Sequence, residues 1–230
     1  MVRKLTAYLQ YFFYLGWNWN FRLAATILYY EIRGEKKYGI QTTGIDNLTD
    51  SVAEKDLESA SIYQPVNYFI AEWLFGQLST KEKAGKSMVD AGCGRGRVMA
   101  MAAHQGFGKV FGFDISPRLC YEAMPNIQSI KNRFPETEIS LECTDAREVA
   151  IPDDCTVIFL FNPFDKTVMA PFIKNVMESI SINPRPVKIL YANPECRQLW
   201  EEAGFKAVAN IKKLKWLQGL VLEFNPDKTN

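Results

Sequence analysis

Three glycines alternate within Val89-Asp90-Ala91-Gly92-Cys93-Gly94-Arg95-Gly96-Arg97, between a short apolar run and a helical pattern. Glycine at such a turn permits positive φ and leaves no Cβ in the way of a ligand. A helix that starts directly afterwards presents free N–H groups to an anionic group. The spacing separates this loop from two other phosphate-binding loops. The dinucleotide fingerprint GxGxxG would place its third glycine at position 97, which is Arg97. The P-loop pattern GxxxxGK[ST] is imitated by Gly85-Lys86-Ser87, but Thr80 stands where its first glycine should be. That imitation also precedes the apolar run instead of following it.

Downstream of the loop, strand and helix patterns alternate. Strands are expected at Ser87–Ala91, Val110–Phe113, Ile139–Cys143, Thr156–Phe161 and Val187–Ala192. Helices are expected at Val98–Gln105, Arg118–Phe134, Val168–Ser181 and Glu195–Ala203, with Pro125 a disturbance in the second. Two last strands, Phe205–Leu214 and Leu220–Phe224, lie too close for a helical crossover and must pair antiparallel. The expected fold is therefore α/β: a Rossmann-like three-layer sandwich around a seven-stranded, mostly parallel sheet with one antiparallel strand. Ligands of open α/β sheets bind beyond the carboxyl ends of the strands. The loops after the first four strands are where chemistry should lie.

The run Asp90-x-Gly92-x-Gly94-x-Gly96 resembles motif I of the class I S-adenosylmethionine-dependent methyltransferases, and the resemblance extends from about Ser87 to Phe224. It implies S-adenosyl-L-methionine as cofactor, bound around Asp90, Ala91, Gly92, Cys93, Gly94 and Gly96. Asp114 ends the second strand about twenty residues later, where a carboxylate can accept from both ribose hydroxyls. Ile115 follows it, and capping of the next helix is the alternative role for Asp114. Asp145 and Ala146, after the third strand, match the positions that meet the adenine amino group and a ring nitrogen. An ordinary loop acid is the other reading of Asp145. Asn162-Pro163-Phe164 follows the fourth strand. Amino-group methyltransferases of this class often carry (Asp/Asn)-Pro-Pro-(Tyr/Phe) there. This sequence has one proline where they have two, and a turn that only closes the cofactor pocket is the alternative. The resemblance implies that Asn162 orients an acceptor amine and touches the cofactor, with Pro163 and Phe164 shaping the acceptor side. Tyr63-x-Pro65 is similar to a short element upstream of motif I in some lysine methyltransferases.

Asp165 is the one candidate base near the site in sequence. No metal is required for this chemistry. The single histidine, His104, falls inside an expected helix and reads as structural or surface. The five cysteines have no CxxC spacing, which suits a reducing compartment and a cytoplasmic protein. The net charge of +1 does not by itself call for nucleic acid. Lys206, Lys212, Lys213 and Lys215 read as a solvated face.

The N-terminal part is different in character. Leu5, Tyr8, Leu9, Phe12, Leu15, Trp19, Leu23, Ile27 and Tyr30 fall at helical spacing, as one long helix or two broken near Gly16. Gln10, Asn18, Asn20 and Arg22 interrupt the apolar character too often for a bilayer span. The face must bury against the protein's own core, a second subunit in a homodimer, or a membrane surface. Gly34–Ser51 reads as a loop, and helical spacing resumes over Val52–Leu78 with a break at Pro65. A polar connector, Gln77–Lys86, leads to the first strand. Residues 1–50 thus form a helical extension and residues 51–230 the methyltransferase-like domain. The expected activity is methyl transfer to an acceptor not identified by sequence, an amine nitrogen of a protein, or an RNA or small molecule. The alternatives are a non-catalytic cofactor-binding module and a peripheral membrane enzyme with a lipid-like substrate.

Overall fold

The computed structural model describes residues 2–44 and 63–228. Most of the helix expected from Val52 onward, and the end of the loop before it, lie outside the described residues. The described elements in chain order are α1 (Val2–Asn18), α2 (Phe21–Tyr38), α3 (Tyr68–Gly76), α4 (Thr80–Lys83), β1 (Ser87–Ala91), α5 (Arg97–His104), β2 (Lys109–Asp114), α6 (Pro117–Arg133), β3 (Glu138–Cys143), β4 (Cys155–Phe161), α7 (Lys166–Ile182), β5 (Val187–Ala192), α8 (Arg197–Glu202), β6 (Lys206–Lys213) and β7 (Leu217–Phe224).

The sheet has seven strands in the order β3-β2-β1-β4-β5-β7-β6. β7 is the reversed strand, antiparallel to both β5 and β6, and the other pairings are parallel. This is the expected α/β architecture. Burial follows position in the sheet: β1 is buried at every residue, whereas the edge strand β3 is mostly exposed. A central parallel strand is covered on both faces, and in β1 that burial takes in Ser87 and Asp90 as well as the apolar residues. One apolar cluster gathers α1, α2, α3, α5 and α6 on one face. The other gathers α7 and α8 on the opposite face, around Phe172 and Trp200. The switch in strand order falls between β1 and β4, with Asp90 registered against Gly112 and Phe159.

Several local expectations change. The N-terminal break is at Trp19–Asn20, not near Gly16. Gly16 is helical, and a Cβ there would stand 2.4 Å from the Phe21 ring, so its absence seats that ring. Asn20 starts the second helix by accepting from the Leu23 N–H at 2.8 Å, an ordinary N-cap. That helix runs on through Tyr38, over residues that read as loop because Gly34 interrupts the pattern. Gly34 is helical for a packing reason: a Cβ would be 2.3 Å from the Tyr68 ring. The polar connector contains α4, a single helical turn held by a Ser79–Glu82 capping box. Pro125 lies inside α6 without ending it. β7 starts at Leu217, three residues before the expected Leu220.

The N-terminal helices pack on the protein's own core through Tyr11, Leu15, Leu23, Ala24 and Ile27. A buried ion pair fastens them. Glu31 of α2 receives both terminal nitrogens of Arg97, at 2.8 and 2.6 Å. The same guanidinium donates to the Val66 carbonyl (2.6 Å) and the Thr42 hydroxyl (2.8 Å), and lies 4.0 Å from the centre of the Tyr68 ring. Four hydrogen bonds and the Tyr68 ring thus surround Arg97, as a buried charge demands. Next to it, burial alone would raise the Glu35 carboxyl. Hydrogen bonds from Tyr8, from Thr43 and from the Thr42 and Thr43 amides instead hold it at about 2.

Candidate active site

A cleft of about 240 Å³ opens beyond the carboxyl ends of β1, β2 and β4. Its floor is the glycine loop. Gly92, Gly94 and Gly96 have φ of 71°, 52° and 79°. Two close approaches make the first two glycines obligatory: a Cβ on Gly92 would stand 2.5 Å from Pro163, and one on Gly94 would stand 2.4 Å from the Tyr63 ring. The Asn-Pro turn after β4 therefore rests directly on the loop after β1. The loop is also tied to β2, since the Gly92 and Cys93 N–H groups both donate to the Phe113 carbonyl.

Asp114 organises the same corner. One carboxylate oxygen accepts from the Gly94 N–H at 2.8 Å and the other from the Ser116 N–H at 2.9 Å. Burial raises its pKa, while these bonds act the other way. The capping role falls to Ser116, whose hydroxyl accepts from the Leu119 N–H. Asp90 is the least satisfied group in the cleft. It is 3% exposed, and one of its carboxylate oxygens has no hydrogen-bond partner among the described residues. Burial, with a smaller contribution from the Asp114 charge, pushes its pKa up to about 8. An unpartnered buried carboxyl at a cleft wall is a ready acceptor for a cationic or N–H-bearing ligand.

Asp145, on the far side of β2, is clasped by Arg147 through its backbone N–H and its guanidinium. Ala146 is buried beside it, and Ile115 completes that wall. Asn162 faces the cleft with φ of 39°, a left-handed conformation that asparagine tolerates better than most residues. Phe164 lines the cleft but is 8% exposed and sets its ring edge-on to Phe172, 5.6 Å away. Thus Asp90, Gly92, Cys93, Asp114, Ile115, Asp145, Ala146, Asn162, Pro163 and Phe164 meet around one cavity. Ala91, Gly94 and Gly96 stand back from it: Ala91 is buried in β1, Gly94 lies under Tyr63, and Gly96 begins α5.

Other residues reach the cleft without having been singled out for it: Gln64, Arg147 and Asn193. Asn193 precedes Pro194 at the end of β5 and has φ of 48°, so it repeats at β5 the Asn-Pro turn made after β4. That dipeptide was the available signal. Tyr63 covers the cleft, its hydroxyl donating to the Thr42 carbonyl at 2.8 Å. Asp165 caps α7 instead, accepting from the Thr167 and Val168 N–H groups. His104 packs between Tyr38 and Phe134 at the C-terminal end of α5 and does not line the cleft.

The family model described as a methyltransferase domain matches residues 88–182. Residues 88–182 are a methyltransferase domain. Solved structures of the same fold include a candidate RNA methyltransferase from Pyrococcus horikoshii, with 19% identity, a TM-score of 0.55, and coverage of 72% of this chain and 85% of that one. A ribosomal protein L11 methylase from Lactobacillus delbrueckii gives 17% identity, a TM-score of 0.51, and coverage of 70% and 88%. The magnesium protoporphyrin IX methyltransferase of Synechocystis, solved with bound S-adenosylmethionine, gives 17%, 0.50, and 67% and 75%. At these identities the likeness is one of fold. No curated protein matches the sequence. The general activity of this methyltransferase domain is transfer of a methyl group from S-adenosylmethionine.

Proposed function

We propose that the methyltransferase transfers its methyl group to an amine nitrogen, and that residues 1–50 act as a cap on a catalytic domain spanning 51–230. The observation that carries this reading is the placement of Asn162 at the cleft with the protein's one histidine elsewhere and Asp165 used as a cap. An amide oxygen can accept from an acceptor N–H and aim its lone pair. An oxygen nucleophile would need a base, and a neutral amine does not.

The cleft fits the donor. The unpartnered carboxyl oxygen of Asp90 suits an amino-acid ammonium group, and ionises when one arrives. Asp114 has lone pairs left for ribose hydroxyls after serving Gly94 and Ser116. Asp145 and the Ala146 N–H suit an adenine edge, Gly92, Cys93 and Ile115 line the cleft for the rest of the donor, and Ala91, Gly94 and Gly96 shape the loop from behind. When bound, S-adenosylmethionine supplies a methyl already activated by its sulfonium. The protein's own share is orientation and exclusion of water. In that division Asn162 orients the acceptor, Pro163 fixes it against Gly92, and Phe164 anchors the turn in the core through Phe172.

The test is Asn162→Gly, which keeps the left-handed backbone and removes the amide. With labelled methyl donor and cell extract, sorted into protein, RNA and small molecules, transfer should fall roughly 100-fold. Affinity for S-adenosylhomocysteine should change little. Unchanged transfer would refute the role of Asn162. Binding without label in any fraction, for the unaltered protein, would make the chain a non-catalytic binding module.

A further inference from the structure

The face of the N-terminal helices turned away from the core is aromatic. Trp17 is 87% exposed, Phe13 58% and Phe21 50%, and Tyr14 and Trp19 are partly exposed beside them. The patch continues onto the β6–β7 turn, where the Trp19 and Trp216 rings lie 6.4 Å apart. That turn is unusual. Leu214 and Lys215 both have positive φ, at 50° and 67°, in a conformation that asparagine and glycine normally fill. The tip instead carries Leu, Lys and Trp, all exposed. Residue types disfavoured by the turn itself point to a role outside it.

Charge decides what covers this face. Residues 6–30 and 207–222, which carry the patch and the turn, contain Arg22, Lys212, Lys213 and Lys215, and no Asp or Glu. A second copy docked through the same patch about a two-fold axis would set cation against cation. An anionic bilayer complements it: aromatic rings settle at the headgroup boundary while lysines meet lipid phosphates. No helix among the described residues is long and apolar enough to cross a membrane. The patch also flanks the cleft. The β6–β7 turn lies at the carboxyl end of β5, because Ala192 pairs with Gly219. There the N–H of Asn193, a cleft residue, donates to the Gln218 carbonyl. On the other side Gln64, also at the cleft, donates to the hydroxyl of Tyr11 on the buried face of α1, the helix whose outer face carries Phe13 and Trp17.

We infer that this aromatic and cationic face docks the protein on an anionic phospholipid surface, with the mouth of the cleft turned towards it. The docking does not depend on which atom is methylated.

Flotation of the full chain with phosphatidylcholine vesicles containing 30% phosphatidylglycerol, as against phosphatidylcholine alone, tests it without any methyl transfer. The protein should float with the anionic vesicles at low salt and release as salt rises. The K212E/K215E pair should weaken partitioning roughly tenfold or more. Trp17→Ala should weaken it about fivefold or more. Both sites are exposed, and unchanged affinity for S-adenosylhomocysteine would certify the fold. Two results would overturn the proposal. One is no flotation with anionic vesicles in low salt. The other is a dimer in sedimentation that Trp17→Ala converts to monomer while vesicle binding is absent.

Discussion

Replacing Asp90 by Asn should make the free protein more stable and a poorer binder. In the unfolded chain the Asp90 carboxyl titrates near its ordinary value of 3.8, whereas burial in the folded protein pushes it up to about 8. Between those values the folded state holds a proton that the unfolded state has lost. Raising the pH through that window therefore favours unfolding. At pH 7 the penalty has an upper limit of about 4 kcal/mol, from the distance between pH 7 and 3.8 at about 1.4 kcal/mol per unit. Water entering the cleft relieves part of it, so a gain of about 2 kcal/mol is expected for Asp90→Asn, or about 4–8 °C in Tm for a chain of this size. Asn keeps the oxygen that accepts from the Met99 N–H. The gain should vanish near pH 4, grow to pH 8 and stay level above it. Thermal melts of both proteins across pH 4–9 measure this. The same substitution removes the carboxylate proposed to meet an ammonium group, so S-adenosylhomocysteine affinity should fall about tenfold or more. Calorimetry of the unaltered protein at pH 6.5, in buffers of differing ionisation enthalpy, should show proton release on binding. A stability difference that does not vary with pH, or a less stable Asp90→Asn protein at pH 7, would refute the reasoning.

Three further substitutions probe the site's construction. Gly92→Ala puts a Cβ at φ of 71° and 2.5 Å from Pro163, so cofactor affinity should fall at least about tenfold by calorimetry, with about 1–3 kcal/mol lost in denaturant melts. Asp114→Asn forces an amide NH₂ against the N–H of Gly94 or Ser116, costing about 1–3 kcal/mol in urea unfolding, and a loop held less firmly should bind S-adenosylhomocysteine more weakly. Glu31→Gln leaves the Arg97 guanidinium buried without its counter-charge. About 3 kcal/mol or more should be lost, and limited proteolysis should cut first near α2.

Much of the fold was legible because its signals are local. β4 and β5 are largely buried and read as mainly apolar runs, and the short gap between β6 and β7 forces an antiparallel pair. The acids at the strand ends were legible too, because the sheet brings the ends of β1, β2 and β4 together. Helix limits in the N-terminal part were not. Gly16 and Gly34 look like breakers in sequence, yet both are helical, and the Phe21 and Tyr68 rings occupy the space that their Cβ atoms would take. The Gly34–Tyr68 contact, thirty-four residues apart, has no local trace. Asn193 was missed for another reason. Its Asn-Pro signal resembles that at Asn162, but a single dipeptide is too common to mark a site before the strands are aligned. Phe164 shows the converse. Its position suggested contact with an acceptor, while packing places the ring on Phe172 at the edge of the cavity.

Arg97 connects the two halves of the problem. In sequence it is the residue that separates this glycine loop from the dinucleotide fingerprint, whose third glycine allows close packing of helix on strand. In the structure the same position is where the N-terminal extension attaches: the guanidinium reaches Glu31, Thr42 and Val66, three separate segments upstream of the sheet. A glycine could make none of these bonds. The substitution that changes the loop's spacing therefore also couples the cap to the first turn of α5. Residues that cover the cleft, Tyr63 and Gln64, lie on the chain that Arg97 holds through Val66. Weakening that hold should disturb the cofactor site from a distance. The direct loop contacts at Gly92 and Asp114 would act within it. Comparing Glu31→Gln with Gly92→Ala separates these routes, since the first should lower unfolding stability more than cofactor affinity, whereas the second should lower both by similar amounts.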